Sequence, residues 1–168
     1  MDRPYQRRRT QKRLRDYDYA NPGPYWVTIR LHRPCPLFGT VDDDGMHLSD
    51  IGAMVDAAWR SLPERFPSLV LDSWIVMPDH VHGLLTLFEG NAPPANLNLG
   101  QVIGAFKSIT TTRYIGGVRE AGWPPYDRYF WLEDYYEHII RDERDLDAKR
   151  LYIERNPWRW MAKRRNEG

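Results

Sequence analysis

Cysteine is almost absent from this chain of 168 residues, which contains Cys35 alone. A single cysteine excludes an intrachain disulfide and a zinc site built from several thiolates. No apolar stretch approaches the roughly 18 residues of a membrane span, and the N-terminus is charged rather than apolar as in a signal segment. These absences predict a cytoplasmic protein without membrane contact, which holds its fold through a hydrophobic core.

Strong net charge is also lacking, since the formal net charge is +1. The charges are nevertheless unevenly distributed, because basic residues crowd both ends of the chain. The pattern predicts a basic N-terminal arm over residues 1–20, a single domain over residues 21–160 and a basic tail over residues 161–168. Basic ends are typical of proteins that bind a polyanion, and solvated tails are the alternative interpretation.

Alternating and β-branched residues predict four strands: Tyr25–His32, Leu69–Val76, Val81–Phe88 and a short one around Arg128–Trp131. Helical spacing predicts helices over Asp50–Arg65, Leu99–Ile115 and Glu143–Arg155, and another that opens at Glu133 and holds residues 135–141. The turn Asp42-Asp43-Asp44-Gly45 suits the tip of a small hairpin. The order β-α-β-β-α-β predicts an α+β, ferredoxin-like fold: a four-stranded antiparallel sheet, with the first and third strands central and two helices on one face.

Two histidines, His80 and His82, begin the third predicted strand. Residues i and i+2 of a strand share a face, so both imidazoles point the same way if Val81 points into a core. Two imidazoles side by side on a rigid strand form half of a metal site. The alternative is a pair of histidines that only satisfies a sheet edge or meets solvent.

The segment after Trp131 contains Tyr135, Tyr136 and His138. On a helix, residues i and i+3 share a face, so Tyr135 and His138 would point together while Tyr136 diverges. If that face covers the histidine pair, three imidazoles and one phenol converge. The alternative is an amphipathic helix whose aromatic residues belong to the core.

Several motifs carry a family resemblance. Pro78-Asp79-His80-Val81-His82-Gly83 resembles the histidine–hydrophobe–histidine (HUH) motif of single-tyrosine transposases, and residues 135–141, preceded by Trp131, resemble their catalytic tyrosine helix. Further matches lie at Tyr25–Thr28, Leu37–Gly39, Gly104–Ser108 and Tyr152–Pro157. The resemblance covers roughly residues 16 to 160. In particular, the chain is similar to the subgroup called REP-associated tyrosine transposases, within the IS200/IS605-like superfamily.

The resemblance implies a metal-dependent endonuclease and strand transferase that cleaves single-stranded DNA near hairpins. A tyrosine on the C-terminal helices would form a 5′-phosphotyrosine link and leave a free 3′-hydroxyl. The resemblance implies Tyr135 as the nucleophile, with Tyr136 as the second candidate. His80 and His82 would hold Mg or Mn, with His138 as a third ligand or proton shuttle. The family usually has a polar ligand one turn from the tyrosine, where this chain has Ile139.

The predicted partner is single-stranded or hairpin DNA, and six residues are the predicted contacts: Arg30, Lys107, Arg113, Arg141, Trp158 and Arg159. A homodimer with an active site shared between chains and a site within one chain are both compatible with the sequence. Three other functions remain open. They are a domesticated, non-catalytic hairpin-binding protein, a metal-dependent hydrolase that uses activated water, and an interaction domain without a metal.

Overall fold

The computed structural model describes residues 22–90, 94 and 96–167. The strands are β1 (Gly23–Arg30), β2 (Gly39–Asp42), β3 (Gly45–Leu48), β4 (Leu69–Met77), β5 (His80–Leu87) and β6 (Tyr136–Ile139). The helices are α1 (Asp50–Arg60), α2 (Leu62–Arg65), α3 (Leu99–Glu120), α4 (Glu143–Glu154) and α5 (Asn156–Glu167). The predicted arm over residues 1–20 lies outside the described residues.

The main sheet has the strand order β4-β5-β1-β6, and each neighbouring pair is antiparallel. The central strands are therefore β1 and β5, as the sequence predicted. Strands β2 and β3 form a separate hairpin, whose tip is the predicted acidic turn. An α+β fold with a four-stranded antiparallel sheet is confirmed.

One face of the main sheet, the α3 face, carries most of the hydrophobic core. Tyr25, Val27 and Ile29 of β1 are fully buried there, in one cluster with apolar residues of α1 and α3. Trp59 of α1 also lies against β5, so close that a Cβ on Gly83 would be 2.3 Å from its Cζ2 atom. Only glycine fits at this position of β5.

The opposite face, the α4 face, is covered by the C-terminal helices. Trp26 and Leu84 of the sheet form a second cluster with Ile153 of α4. An ion pair joins α4 to the edge strand β4. In this pair Arg150 of α4 donates to both carboxylate oxygens of Asp72 on β4, at 2.5 and 3.0 Å. The hydrogen bond from Arg150 is the main cause that lowers the pKa of the Asp72 carboxyl.

The predicted fourth strand and the helix after it are both wrong. Residues around 128–131 make only an isolated bridge, between Leu31 and Trp131, and the fourth strand is Tyr136–Ile139. The segment predicted as a helix thus pairs with β1 in register, Thr28 opposite Tyr136 and Trp26 opposite His138. The backbone N–H and C=O groups along the edge of β1 form hydrogen bonds with this segment. These bonds favour a strand more than the acidic residues Glu133 and Asp134 favour the start of a helix.

Helices α1, α3 and α4 begin at the predicted residues, but α3 continues to Glu120 instead of ending at Ile115, and α5 was not predicted. Ser49 caps α1 by accepting from the Gly52 backbone N–H, and Asn98 and Gln101 form a capping box at the start of α3. Residues 161–167 continue α5, so the predicted tail boundary at residue 160 falls inside a helix. Within the described part of the chain, no helix has the length and apolarity to cross a membrane.

Candidate active site

His80 and His82 lie side by side on the α4 face. His80 is opposite Arg30 and His82 is opposite Thr28 on β1, so the pair sits near the middle of the sheet. Their Nε2 atoms are 3.0 Å apart, and the rings are nearly buried, at 9% and 5% exposure. The predicted sharing of one face by both imidazoles is confirmed.

The outer nitrogen of each ring has a hydrogen-bond partner. The Nδ1 atom of His82 is 2.8 Å from Thr28 Oγ1, and that of His80 is 2.5 Å from Asp79 Oδ1. Such partners fix the orientation of metal-binding imidazoles and raise their basicity toward an ion. Burial holds the pKa of His82 well below its usual value, and the nearby charges of His80, Arg30 and Lys149 lower it further. His82 is therefore neutral at pH 7.

The histidine pair fits a divalent cation. Two nitrogens 3.0 Å apart have the separation of neighbouring ligands on one ion, with bonds of about 2.0–2.1 Å at a right angle. Because Thr28 and Asp79 occupy the two Nδ1 atoms, the Nε2 atoms are left facing each other. Two imidazoles with added oxygen ligands suit Mn and accept Mg.

The structure does not bring His138 into this pair. Its Nε2 atom is 2.8 Å from Asp145 Oδ2 at the start of α4. Among the described residues, no three histidine, cysteine, aspartate or glutamate side chains form a group that could hold a metal. The structure therefore does not place His138 as a third ligand of the pair, because the extended β6 sets it opposite Trp26, where it contacts Asp145.

The tyrosine that meets the histidine pair is Tyr152 of α4. Its ring centre is 5.4 Å from that of His82 and 5.3 Å from that of Trp26, edge-on to both. The Trp26 ring in turn stacks on His82 at 4.8 Å. Tyr152 was not predicted as a site residue, although it is the first residue of one of the family-like motifs.

One helical turn beyond Tyr152 lies Asn156. It is only 5% exposed, and the chain between these two residues is helical except for Arg155. An asparagine carbonyl oxygen is a suitable ligand for Mg or Mn. The polar residue expected one turn from the tyrosine, which is missing after Tyr135, is present after Tyr152. The i, i+4 pair in the Tyr152–Pro157 motif is the signal that could have identified the site.

Tyr136 is the first residue of β6 and Tyr135 directly precedes it, and the two side chains lie on opposite faces of the sheet. Tyr135 packs against the core of the α3 face, and the Lys107 ammonium lies 5.6 Å from its ring centre. Tyr136 is opposite Thr28 on the α4 face, and 41% of it is exposed. Alternation along a strand also separates Tyr135 from His138, so the predicted common face of these two residues is wrong.

Three cations surround the histidine–tyrosine site. The Arg159 guanidinium of α5 lies 4.8 Å from the Tyr152 ring centre, and the Lys149 ammonium lies 5.4 Å from that of Trp26. Arg30, opposite His80, is exposed at the end of β1. Of the predicted DNA contacts, Arg30 and Arg159 therefore lie beside the candidate site.

Other predicted DNA contacts lie elsewhere. Lys107 and Arg113 are on α3, across the sheet from the histidines. The Lys107 ammonium donates to the backbone carbonyls of Leu132 and Glu133, and burial lowers its pKa. Arg141 and Trp158 are exposed, but the Arg141 backbone N–H also donates to Asp145.

A cleft of about 200 Å³ lies beside the histidine pair. It reaches Asp79, the partner of His80, and its wall includes Trp160, whose ring centre is 5.7 Å from that of His80. Lys163 and Arg164 of α5 also line it. The cleft thus has two basic residues in its wall and reaches the residue next to His80.

A related sequence places the chain in a family. No family model matches the chain. An uncharacterized protein of Haemophilus influenzae is 32% identical over 157 residues, which cover 88% of this chain and 87% of that protein. The chain belongs to the same family as this Haemophilus protein.

Two solved structures share the fold. The REP-associated tyrosine transposase bound to a REP hairpin has a TM-score of 0.59 and 22% identity, over 82% of this chain and 67% of that one. A proposed transposase from Deinococcus radiodurans has a TM-score of 0.51 and 18% identity, over 86% and 96% of the two chains. The chain therefore has the fold of the single-tyrosine transposases, as its motifs indicated.

Proposed function

We propose that this protein is a transposase that nicks and rejoins single-stranded DNA near hairpins, with Tyr152 as the nucleophile. One observation carries the proposal: the Tyr152 ring lies 5.4 Å from that of His82, on the sheet face where the two Nε2 atoms converge. This assignment replaces Tyr135 and Tyr136 as candidate nucleophiles. A single chain supplies all of these groups, so the proposed site does not require a homodimer.

His80, His82 and Asn156 are the residues that would hold a divalent cation, Mg or Mn. Such an ion, when bound, would polarise the phosphodiester and offset the negative charge on its non-bridging oxygens. Thr28 and Asp79 bind the Nδ1 atoms and so hold the two imidazoles in place, with their Nε2 atoms 3.0 Å apart. Burial keeps His82 neutral, so its lone pair remains available for a ligand bond.

Tyr152 would carry out a balanced transesterification. The phenol loses its proton, its oxygen attacks phosphorus, and the bond from phosphorus to the 3′ oxygen breaks. The 3′ oxygen leaves with a proton as a free hydroxyl, while the 5′ phosphate remains on Tyr152. Arg159 lies against the tyrosine ring, where its charge offsets that of the attacking oxygen. Because the phosphodiester is conserved, rejoining needs no nucleotide cofactor.

The substrate follows from charge and from the structural neighbours. Arg30, Lys149 and Arg159 place positive charge around the proposed reaction centre. A neighbour of the same fold binds a REP hairpin, which supports hairpin DNA as the partner. We also propose the cytoplasm as the location of the protein, which remains a prediction.

The test is a covalent-adduct assay. A labelled pool of hairpin oligonucleotides with randomised single-stranded flanks is incubated with the protein and Mn or Mg, then run on a denaturing gel. We expect a slower-migrating adduct with the wild type and none with Tyr152→Phe, which should still bind the pool. The matched control, Tyr135→Phe, should form the adduct at the wild-type rate because its ring lies on the α3 face.

Three results would contradict the proposal. An undiminished adduct from Tyr152→Phe would place the nucleophile elsewhere. Cleavage without any adduct would indicate a hydrolase that uses water. Binding of the pool without cleavage in either metal would indicate the non-catalytic hairpin-binding protein.

A further inference from the structure

Tyr136 occupies a distinctive position beside the proposed site. In the register of the sheet, Thr28 lies opposite both His82 on β5 and Tyr136 on β6. Directly opposite residues of antiparallel strands point to the same face, so these three side chains form one row across the α4 face. Because neighbouring strands are about 4.8 Å apart, Tyr136 is roughly 10 Å from His82.

The surroundings of Tyr136 leave its ring accessible. It is 41% exposed on an edge strand, while α4 packs chiefly over β4 and β5 and touches β6 at His138. Arg30, two residues from Thr28 along β1, is a diagonal neighbour in the same face and is exposed as well. An accessible aromatic ring beside an arginine is the combination that binds an unpaired nucleotide through its base and phosphate.

We propose that Tyr136 stacks on an unpaired base that flanks the scissile phosphate, and so fixes the strand across the α4 face. The inference rests on the proposed function, because Tyr136 lies in one row with Thr28 and His82, and His82 belongs to the proposed reaction centre. Tyr136 is then a positioning residue whose ring, rather than its hydroxyl, is needed. This requirement separates it from the nucleophile, which needs the hydroxyl.

The ring and the hydroxyl can be tested separately. The probe is one hairpin oligonucleotide with single-stranded flanks, recovered from the randomised pool by its binding to the protein. Equilibrium affinity is measured by fluorescence anisotropy with a chelator present, so that no cleavage occurs. We expect Tyr136→Ala to weaken binding by about 5- to 150-fold, the range of single base–aromatic stacks, and Tyr136→Phe to bind as the wild type does.

An abasic substitution then locates the base. Each nucleotide of the two flanks is replaced in turn by an abasic residue, and the wild type is compared with Tyr136→Ala on each probe. At one position the difference between the two proteins should disappear, because the stacking partner has been removed from both. Tyr129→Ala is the matched control, since that ring is 60% exposed but lines a cleft with α3 residues.

The outcomes distinguish this inference from the proposed function. Affinity of Tyr136→Ala equal to the wild type overturns the inference, as does equal loss in Tyr136→Phe and Tyr136→Ala, which would assign the role to the hydroxyl. A difference that persists on every abasic probe also overturns it. Failure of the wild type to form an adduct contradicts the proposed function. It does not affect the stacking test, because affinity is measured without cleavage.

Discussion

At the scale of single residues, the orientation of the two imidazoles depends on two small polar side chains. Thr28 is 5% exposed, and its hydroxyl is 2.8 Å from His82 Nδ1. Thr28→Val keeps the shape but removes this partner, so we expect affinity for Mn to fall by about 10- to 100-fold. Titration calorimetry with Mn measures the change.

A threonine outside the site provides the control for this variant. Thr40→Val changes an exposed residue of the β2–β3 hairpin and should leave Mn affinity as it was. Unchanged Mn affinity in Thr28→Val would show that the hydroxyl does not orient a ligand.

Gly83, the glycine that follows the histidine pair, is required by packing rather than by chemistry. A Cβ there would lie 2.3 Å from Trp59 Cζ2, and that ring is fully buried. Gly83→Ala should therefore lower the free energy of unfolding by about 1–3 kcal/mol, as overpacking does. Urea denaturation measures the loss.

Gly104→Ala is the opposite case. A Cβ at Gly104 meets nothing within 4 Å on the helix α3, so alanine should raise stability by about 0.4–1 kcal/mol. If both alanine variants shift stability equally, the close approach of Trp59 is not the reason for glycine in β5.

The sequence predicted the histidines but not the tyrosine, for a physical reason. His80 and His82 share a face through the period of one strand, which is local information. Tyr152 reaches His82 only because α4 packs across the sheet, and no local pattern contains that contact. Its i, i+4 relation to Asn156 was readable, but two adjacent tyrosines near Trp131 offered a stronger local match.

At the scale of elements, β6 is the strand whose secondary structure is hardest to predict from the sequence. Acidic residues followed by mixed aromatic and aliphatic residues are compatible with a helix and with a strand. Pairing with β1 decides between them, and it depends on residues more than 100 positions earlier in the chain. The other strands of the sheet were predictable, because β1, β4 and β5 carry continuous apolar or alternating patterns over eight or nine residues.

The attachment of α4 is also an element-scale property. Ionised Asp72, with its lowered pKa, binds Arg150 and joins β4 to the helix that carries Tyr152. Asp72→Asn should lower the free energy of unfolding at pH 7 and slow adduct formation. A carboxyl with a lowered pKa stabilises the fold fully above its unfolded value of about 3.9, and this contribution is lost as pH falls through the folded pKa. The difference between variant and wild type should therefore vanish in acid.

Denaturation by urea at a series of pH values measures this difference. Asp147→Asn is the control, because Asp147 contacts Arg150 within α4, at 3.2 Å, and among the described residues it joins α4 to no other element. A gap between Asp72→Asn and the wild type that stays constant with pH would mean that the ion pair is not its cause.

At the scale of the whole molecule, the sheet divides the cations into two sets. Arg159 belongs to the α4 face with the histidines, whereas Arg113 lies on α3 across the sheet. If the single strand crosses the α4 face, Arg159→Ala should reduce the slope of log affinity against log salt by about 0.7, the value for one contact to a single strand. Anisotropy titrations with the hairpin probe at several salt concentrations measure the slope.

Arg113→Ala is the matched control, since it removes an equal charge from an exposed position on the other face. The slope of log affinity against log salt for Arg113→Ala should equal that of the wild type. A larger change in Arg113→Ala than in Arg159→Ala would place the bound DNA on the α3 face.

In the row of hydrogen bonds Thr28–His82–His80–Asp79, the donor and the acceptor of each bond can be assigned. When both imidazoles are neutral, Asp79 must accept from His80 Nδ1, so His80 Nε2 accepts from His82 Nε2 and His82 Nδ1 accepts from the Thr28 hydroxyl. If His80 and His82 held a cation through their Nε2 atoms, His82 would have to carry its proton on Nδ1, and the Thr28 hydroxyl would accept from it instead of donating. Metal uptake would then be a switch of tautomer without net proton release, visible in the nitrogen resonances of His82.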